Sequence, residues 1–280
     1  MAYFIHPYMP DSLTPTQSFK EINALLRSVP GDAERFLLSM RAAQLPSLSF
    51  SKVSVVEFCE HRFYLQYILH LEPDPIPDYF TKGKLLHTVI AHTYRKISSQ
   101  AAIDLDEEFE LISQSYSGEN QIHLMNAARV HLENMWKDIH VVSVETPFVM
   151  LISDDLPPVI GVIDLILRQD GRYIVIDHKS GRDFYPPDEL QMAIYWQYIH
   201  HQFEADECDF YYEHYRWVKD LQRIRKPAFL RSEVNLPMAG WQPSLDRIRR
   251  AYGLMQRIRE RNFAQKNGDC YRCPYRNMCS

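Results

Sequence analysis

Two apolar segments around a tight turn constrain this chain more than any other feature in it. Val159-Ile160-Gly161-Val162-Ile163-Asp164-Leu165-Ile166-Leu167 and Tyr173-Ile174-Val175-Ile176-Asp177-His178-Lys179 are rich in Val and Ile, as buried β-strands are. Between them stands Gln169-Asp170-Gly171-Arg172, and Asp-Gly is a strong signal for a two-residue hairpin turn. The strands are therefore expected to lie side by side and antiparallel. Counting outward from the turn sets Asp164 opposite Asp177, where paired side chains share one face of the sheet. Lys179 lies two residues beyond Asp177 and joins it on that face.

A carboxylate inside such a strand is costly to bury unless it is paired or binds a metal. Two facing carboxylates repel one another unless a divalent cation bridges them. With a lysine alongside, these are the parts needed for metal-dependent cleavage of a phosphodiester. The plainer alternative is a structural ion pair of the two acids with Lys179. It leaves Gln191, His87 and the cysteines described below as coincidences.

The chain has 280 residues, 46% apolar and 24% charged, which is ordinary for a soluble globular protein. No apolar run approaches the ~20 residues of a membrane span. The start, Met1-Ala2-Tyr3-Phe4-Ile5-His6-Pro7, has no basic patch followed by a long apolar stretch, so no signal peptide and a cytoplasmic location are expected. The formal net charge of -5 conceals an asymmetry: from Tyr211 onward, 15 Lys and Arg face 6 Asp and Glu. Arg247, Arg249, Arg250, Arg257, Arg259 and Arg261 fall on one predicted helix, Trp241 to Phe263. Such a stripe can follow a phosphate backbone, or can simply be a solvated face.

Three of the five cysteines crowd into Cys270-Tyr271-Arg272-Cys273-Pro274-Tyr275-Arg276-Asn277-Met278-Cys279, a C-x2-C-x5-C spacing. Without a secretory signal, clustered cysteines favour metal binding over disulfides. Three thiolates need a fourth ligand, and Cys59 is the best candidate, whereas Cys208 reads as a small core residue. Four thiolates suit tetrahedral zinc or an iron–sulfur cluster, and spacing does not decide between them. Either would clasp together parts of the chain that lie 211 residues apart, at Cys59 and Cys270.

Helices are predicted over Ser18–Ser28, Ala33–Ala43, Ser51 to about Leu69, Gly83 to about Ser98, and Asp104 to about Asp138 with a break near Ser117-Gly118. A strand with Glu145 inside it spans Val141 to Ile152. After the hairpin come a helix over Asp188–Phe203, carrying Gln191 and Tyr195 four residues apart on one face, a strand over Cys208–Arg216 and another within Pro227–Pro237. This order implies an α/β core. We read residues 1–50 as a helical extension and 51–280 as one domain. His87, near Ile90, Ala91 and Tyr94 on its helix, reads as a satisfied core histidine unless the site downstream recruits it.

From about Ser51 to Ser280 these residues resemble the PD-(D/E)XK nuclease superfamily in its RecB-like branch. Gly161-Val162-Ile163-Asp164, Ile176-Asp177-His178-Lys179-Ser180-Gly181 and Gln191-Met192-Ala193-Ile194-Tyr195 look like that branch's consecutive motifs. Gly83-Lys84-Leu85-Leu86-His87 is similar to its upstream G-x-x-x-H motif. Cys59 with Cys270, Cys273 and Cys279 is similar to the [4Fe-4S] clasp of its iron–sulfur members, which include the AddB nuclease subunit and CRISPR-associated RecB-like exonucleases.

The resemblance implies a restriction-endonuclease-like mixed central sheet flanked by helices, closed by an iron–sulfur clasp. It implies that His87, Asp164, Asp177 and the backbone carbonyl of His178 bind Mn²⁺ or Mg²⁺. Lys179 would orient or deprotonate the attacking water, Gln191 and Tyr195 would position the scissile strand, and Glu145 would have a weaker role. His178 stands where Tyr is common in the family. Its side chain is expected to point away from the site, without loss of activity. The implied function is a DNA nuclease, exonucleolytic on single strands, in CRISPR adaptation or in recombination and repair. DNA contacts are expected at Arg247, Arg250, Arg257 and Arg261, and an integrase or helicase as protein partner. The alternative is a catalytically silent DNA-binding scaffold within a larger complex.

Overall fold

The computed structural model describes residues 46–279, apart from 117–120, 185–187, 206, 237–239 and 263. The helices expected at Ser18–Ser28 and Ala33–Ala43 lie outside the described residues. The chain forms two compact units: Met1–Ile76 with Pro147–Val162 and Pro237–Ser280, and Pro77–Thr146 with Ile163–Leu236.

In the first unit, Ser49 caps helix α1 (Phe50–Phe58) by accepting the backbone N–H of Lys52. The single helix expected over 51–69 is broken at Cys59, which is extended and precedes α2 (Glu60–Phe63) and a π-helical turn (Tyr64–Ile68).

The second unit opens with α3 (Asp78–Ser98), one turn longer at its start than the sequence suggested, then α4 (Leu105–Ser115) and α5 (Gln121–Glu133). Asp104 caps α4 through the N–H of Asp106.

Five strands form one sheet in the order β1-β2-β3-β4-β5. They are β1 (His140–Met150), β2 (Val159–Gln169), β3 (Arg172–Gly181), β4 (Cys208–Arg216) and β5 (Phe229–Glu233). The β2–β3 hairpin has the expected register, from Leu165 facing Ile176 to Gln169 facing Arg172. Asp170 and Gly171 have φ of 50° and 86°, and positive φ at both centres is what a type I′ turn requires. β3 and β4 run parallel, so the chain must cross over between them, and α6 (Glu189–Phe203) provides the crossing. β5 returns antiparallel at the edge.

Alternation along the strands divides the unit's interior. Leu165, Leu167, Ile174, Ile176 and Tyr215 pack with Leu86, Val89, Ile90 and Tyr94 of α3, Ile112 of α4 and Leu124 of α5 into one buried core. Each such aliphatic side chain contributes about 1.5–3 kcal/mol on burial. Asp177, Lys179 and Tyr212 alternate out of register with these residues, and their contacts are with α6 instead. Helix α7 (Gln242–Arg261) belongs to the first unit and is followed by short 3-10 turns at Cys270–Arg272 and Arg276–Met278. Among the described residues, no helix is long and apolar enough to cross a membrane.

Candidate active site

The site is assembled within the second unit from every layer just described. Asp164 and Asp177 arrive on the paired strands, as the turn geometry demands. The backbone N–H of His178 donates to Asp164 Oδ2 at 2.8 Å, tying the two strands together beyond the last paired residues. His87 of α3 brings its Nδ1 to 3.5 Å from Asp164 Oδ2 and 3.8 Å from Glu145 Oε1. One ligand atom from each of His87, Glu145 and Asp164 lies within 4.8 Å of the others. Glu145 reaches this point by an unusual backbone: φ is 52°, in the left-handed region, within strand β1. A non-glycine residue there costs of order 1–3 kcal/mol, and such strain collects at functional sites.

Asp177 faces inward. It is 2% exposed, and three groups hold its carboxylate. Lys179 Nζ lies 2.6 Å from Oδ2, while Gln191 Nε2 and the Tyr195 hydroxyl donate to Oδ1 at 2.6 and 3.1 Å. Lys179 also donates to Gln191 Oε1 at 3.0 Å, and its side chain is 41% exposed, so the ammonium joins the buried acid to the open side. Gln191 and Tyr195 share one face of α6, and Gln191 Nε2 donates to the Tyr195 oxygen at 2.8 Å. Asp188 caps this helix through the N–H of Leu190, fixing where its first turn begins.

The two acids divide the cost of lying together. Burial pushes Asp164 up, but the His87 charge and the hydrogen bonds from His87 and His178 bring it down to about 2. Burial pushes Asp177 up, the Asp164 charge adds to this, and Lys179 only partly offsets it. Burial pulls the His87 imidazole down, yet Asp164 and Glu145 together raise it to about 10. A site that holds an imidazolium to balance its own carboxylates is one a cation fits. Its donors, one imidazole nitrogen and carboxylate oxygens, suit Mn²⁺, and the oxygens suit Mg²⁺.

Tyr212 was not singled out in the sequence. Its hydroxyl lies 3.1 Å from Gln191 Oε1 and 3.0 Å from the Asp188 carbonyl, and the Lys179 ammonium sits 5.4 Å from its ring centroid. The parallel register pairs it with Asp177. The signal was there in the alternation of Phe210, Tyr212 and His214, but nothing local tells which strand they neighbour. The His178 side chain is buried on the sheet face opposite Asp177 and Lys179. It does not leave the site altogether: its ring meets that of His87 edge to face at 6.1 Å.

In the first unit, Cys59, Cys270, Cys273 and Cys279 all line one cavity. Residues 262–279 are stitched to residues 59–71 on the way. His61 N donates to the Gln265 carbonyl at 3.0 Å, Glu60 N to Asn267 Oδ1 at 3.0 Å, and the Tyr275 hydroxyl to the Leu71 carbonyl at 2.9 Å. A Cβ on Gly268 would fall 2.4 Å from the Phe58 carbonyl and 2.7 Å from Cys59 Cβ, so only glycine lets the strands of the clasp approach this closely. Burial pushes the Cys59 thiol up, but backbone N–H groups of Arg62, Gly268, Asn267 and His61 bring it below its ordinary value. Cys208 stands apart, half-buried on β4, its thiol pushed up to about 12 chiefly by burial.

Of the arginines on α7, Arg247 is bound by Glu57 through both Nε (2.9 Å) and Nη2 (2.7 Å), and Arg249 pairs with Asp155 at 3.0 Å. Arg250, Arg257 and Arg261 are exposed and make no ion pair among the described residues.

The family model of the PD-(D/E)XK nuclease superfamily matches residues 47–280. No curated protein matches the chain. Among solved structures, the chain is similar to the crystal structure of SSO0001, with 17% identity, coverage of 72% of this chain and 94% of that one, and a TM-score of 0.34. That likeness is too slight to argue from. The family match stands on its own and takes in the whole sheet with the acids and lysine gathered on it. A five-stranded mixed sheet with helices on its faces also agrees with the restriction-endonuclease-like fold expected of the family. The chain belongs to the PD-(D/E)XK nuclease superfamily, whose members are usually metal-dependent nucleases.

Proposed function

We propose that the protein is a Mn²⁺- or Mg²⁺-dependent deoxyribonuclease of the RecB-like branch, acting exonucleolytically on single strands. One observation carries this reading: the donor atoms of His87, Glu145 and Asp164 meet within 4.8 Å, and Asp164 is joined through the His178 N–H to the strand that carries Asp177 and Lys179. His87, Glu145 and Asp164 hold the cation, and Asp177 and the His178 carbonyl would add to its ligands, as the resemblance implies. When bound, the cation neutralises charge on the phosphoryl oxygens and lowers the pKa of water. Lys179 supplies positive charge and orients the attacking water, since its ammonium is anchored by Asp177 and Gln191 yet open to solvent. Gln191 fixes that ammonium, and Tyr195 fixes Gln191 and Asp177 in turn.

The four cysteines hold a [4Fe-4S] cluster in this reading. Its support is the cavity that all four cysteines line, and a zinc ion is the alternative occupant. Arg250, Arg257 and Arg261 bind the phosphate backbone, whereas Arg247 is committed to Glu57. Residues 51–280 form the nuclease domain. The setting is cytoplasmic DNA processing, in CRISPR adaptation or in recombination and repair, with an integrase or helicase as partner.

The test is degradation of end-labelled single-stranded DNA, with a circular strand as control. Wild-type protein should shorten the linear strand with Mn²⁺ or Mg²⁺ and not with chelator. Asp164→Ala and Lys179→Ala should each lose activity by at least about 100-fold. Equal rates for both variants and wild type would refute the assignment. Binding without cleavage by wild type would favour a silent scaffold.

A further inference from the structure

On the other face of β3, a second buried polar cluster takes no part in the reading above. Glu213 of β4, paired in register with His178, is 1% exposed. Its carboxylate accepts from Arg231 Nε at 2.8 Å, Trp136 Nε1 at 2.9 Å and the Tyr215 hydroxyl at 2.9 Å, and Arg231 Nη2 lies 2.7 Å away. The Tyr215 oxygen lies 3.0 Å from His131 Nδ1, whose Nε2 lies 2.9 Å from the Thr93 hydroxyl. Such a charge is expensive to bury, and its three neutralising and hydrogen-bonding partners already suffice for a structural ion pair.

A fourth group nevertheless faces it. His178 Nδ1 lies 3.3 Å from Glu213 Oε2. Among the described residues neither ring nitrogen of His178 meets hydrogen-bond geometry with any other group, and this close contact with the Glu213 carboxylate is the polar anchor of that ring. His178 in turn meets the metal-binding residues at three points. Its N–H holds Asp164 Oδ2 at 2.8 Å, its ring meets that of His87 edge to face with an interplanar angle of 86°, and its backbone carries Asp177 on one side and Lys179 on the other.

We propose that Glu213 is a positioning residue, which through the His178 ring holds Asp164 and His87 in the arrangement that receives the cation. This rests on the metal-dependent reading of the site. Partners of this kind, behind the ligands themselves, change metal affinity by roughly 10- to 100-fold when removed.

The experiment is a Mn²⁺ titration of the full chain followed by the EPR signal of free Mn²⁺, with far-UV circular dichroism and urea unfolding in parallel. Glu213→Gln should weaken Mn²⁺ binding by at least about 10-fold. Because that variant strands Arg231, His178→Phe is the second test: it keeps an aromatic ring against His87 and removes only the polar anchor. It should lose about as much affinity while keeping the wild-type dichroism spectrum, and the double variant should lose little more than either alone. Wild-type Mn²⁺ affinity in folded His178→Phe, with only the urea midpoint moved, would overturn the proposal, as would additive losses in the double variant. If wild-type protein binds no Mn²⁺, the metal reading of the site falls first and this one with it.

Discussion

Gly268 and Tyr212 show how much one residue decides here. Any side chain at Gly268 meets the Phe58 carbonyl and Cys59 at less than contact distance. If the four cysteines hold the proposed cluster, Gly268→Ala should therefore lower its content, read as iron and acid-labile sulfide per chain, and cost roughly 1–3 kcal/mol of stability. Full iron content in the variant would show that the clasp has room to spare. Tyr212→Phe keeps the ring beneath the Lys179 ammonium but removes the hydroxyl that faces Gln191 Oε1. The loss of one hydrogen bond of about 0.5–1.5 kcal/mol predicts a kcat lower by roughly 2- to 10-fold, with KM nearly unchanged. A large rise in KM alone would instead place Tyr212 against the substrate. At this scale the acids and Lys179 were legible from the chain, because a two-residue turn fixes register by counting. Glu145 was visible as an acid in a strand, but its left-handed backbone was not, since no local pattern announces a residue held in a costly conformation by its neighbours.

Among the elements, the β2–β3 hairpin was the easiest to read, because Asp170-Gly171 specifies both the turn and the pairing. The break at Cys59 was hidden: Phe58-Cys59-Glu60 continues a helical pattern, and it is Asn267 and Gln265, far away in the sequence, that give the interrupted backbone other partners. The β3–β4 register was equally out of reach, because a parallel pair is set by its crossover rather than by a turn. Strand β4 also carries a titration test. Burial holds the Cys208 thiol at about 12 against an ordinary 9.0. The folded chain thus keeps a proton that the unfolded chain loses, so this contribution is whole below pH 9 and disappears as pH rises towards 12. Urea unfolding from pH 8 to 10.5 should show a shallower decline in Cys208→Ala than in wild type. At pH 8, iodoacetamide should modify exposed Cys270 of the metal-free protein well before Cys208. Parallel stability curves would refute the argument.

Over the whole molecule, the uneven charge distribution predicts how binding answers to salt. Arg250, Arg257 and Arg261 are solvent-facing cations without ion-pair partners among the described residues, whereas Arg247 is neutralised by Glu57. Replacing those three with Gln should reduce the slope of log K against log salt for single-stranded DNA by about 2. Arg247→Gln should leave it nearly unchanged. Equal slopes in all variants would return the helix to the status of an ordinary solvated face. The bonds that stitch residues 262–279 to 59–71 have a further consequence, in time rather than in space. Cys59 leaves the ribosome 211 residues before Cys270, a delay of roughly 10–40 s at ordinary elongation rates. Any group that the four sulfurs hold can be loaded only once the sheet and its helices have been made, so loading cannot guide the early stages of folding.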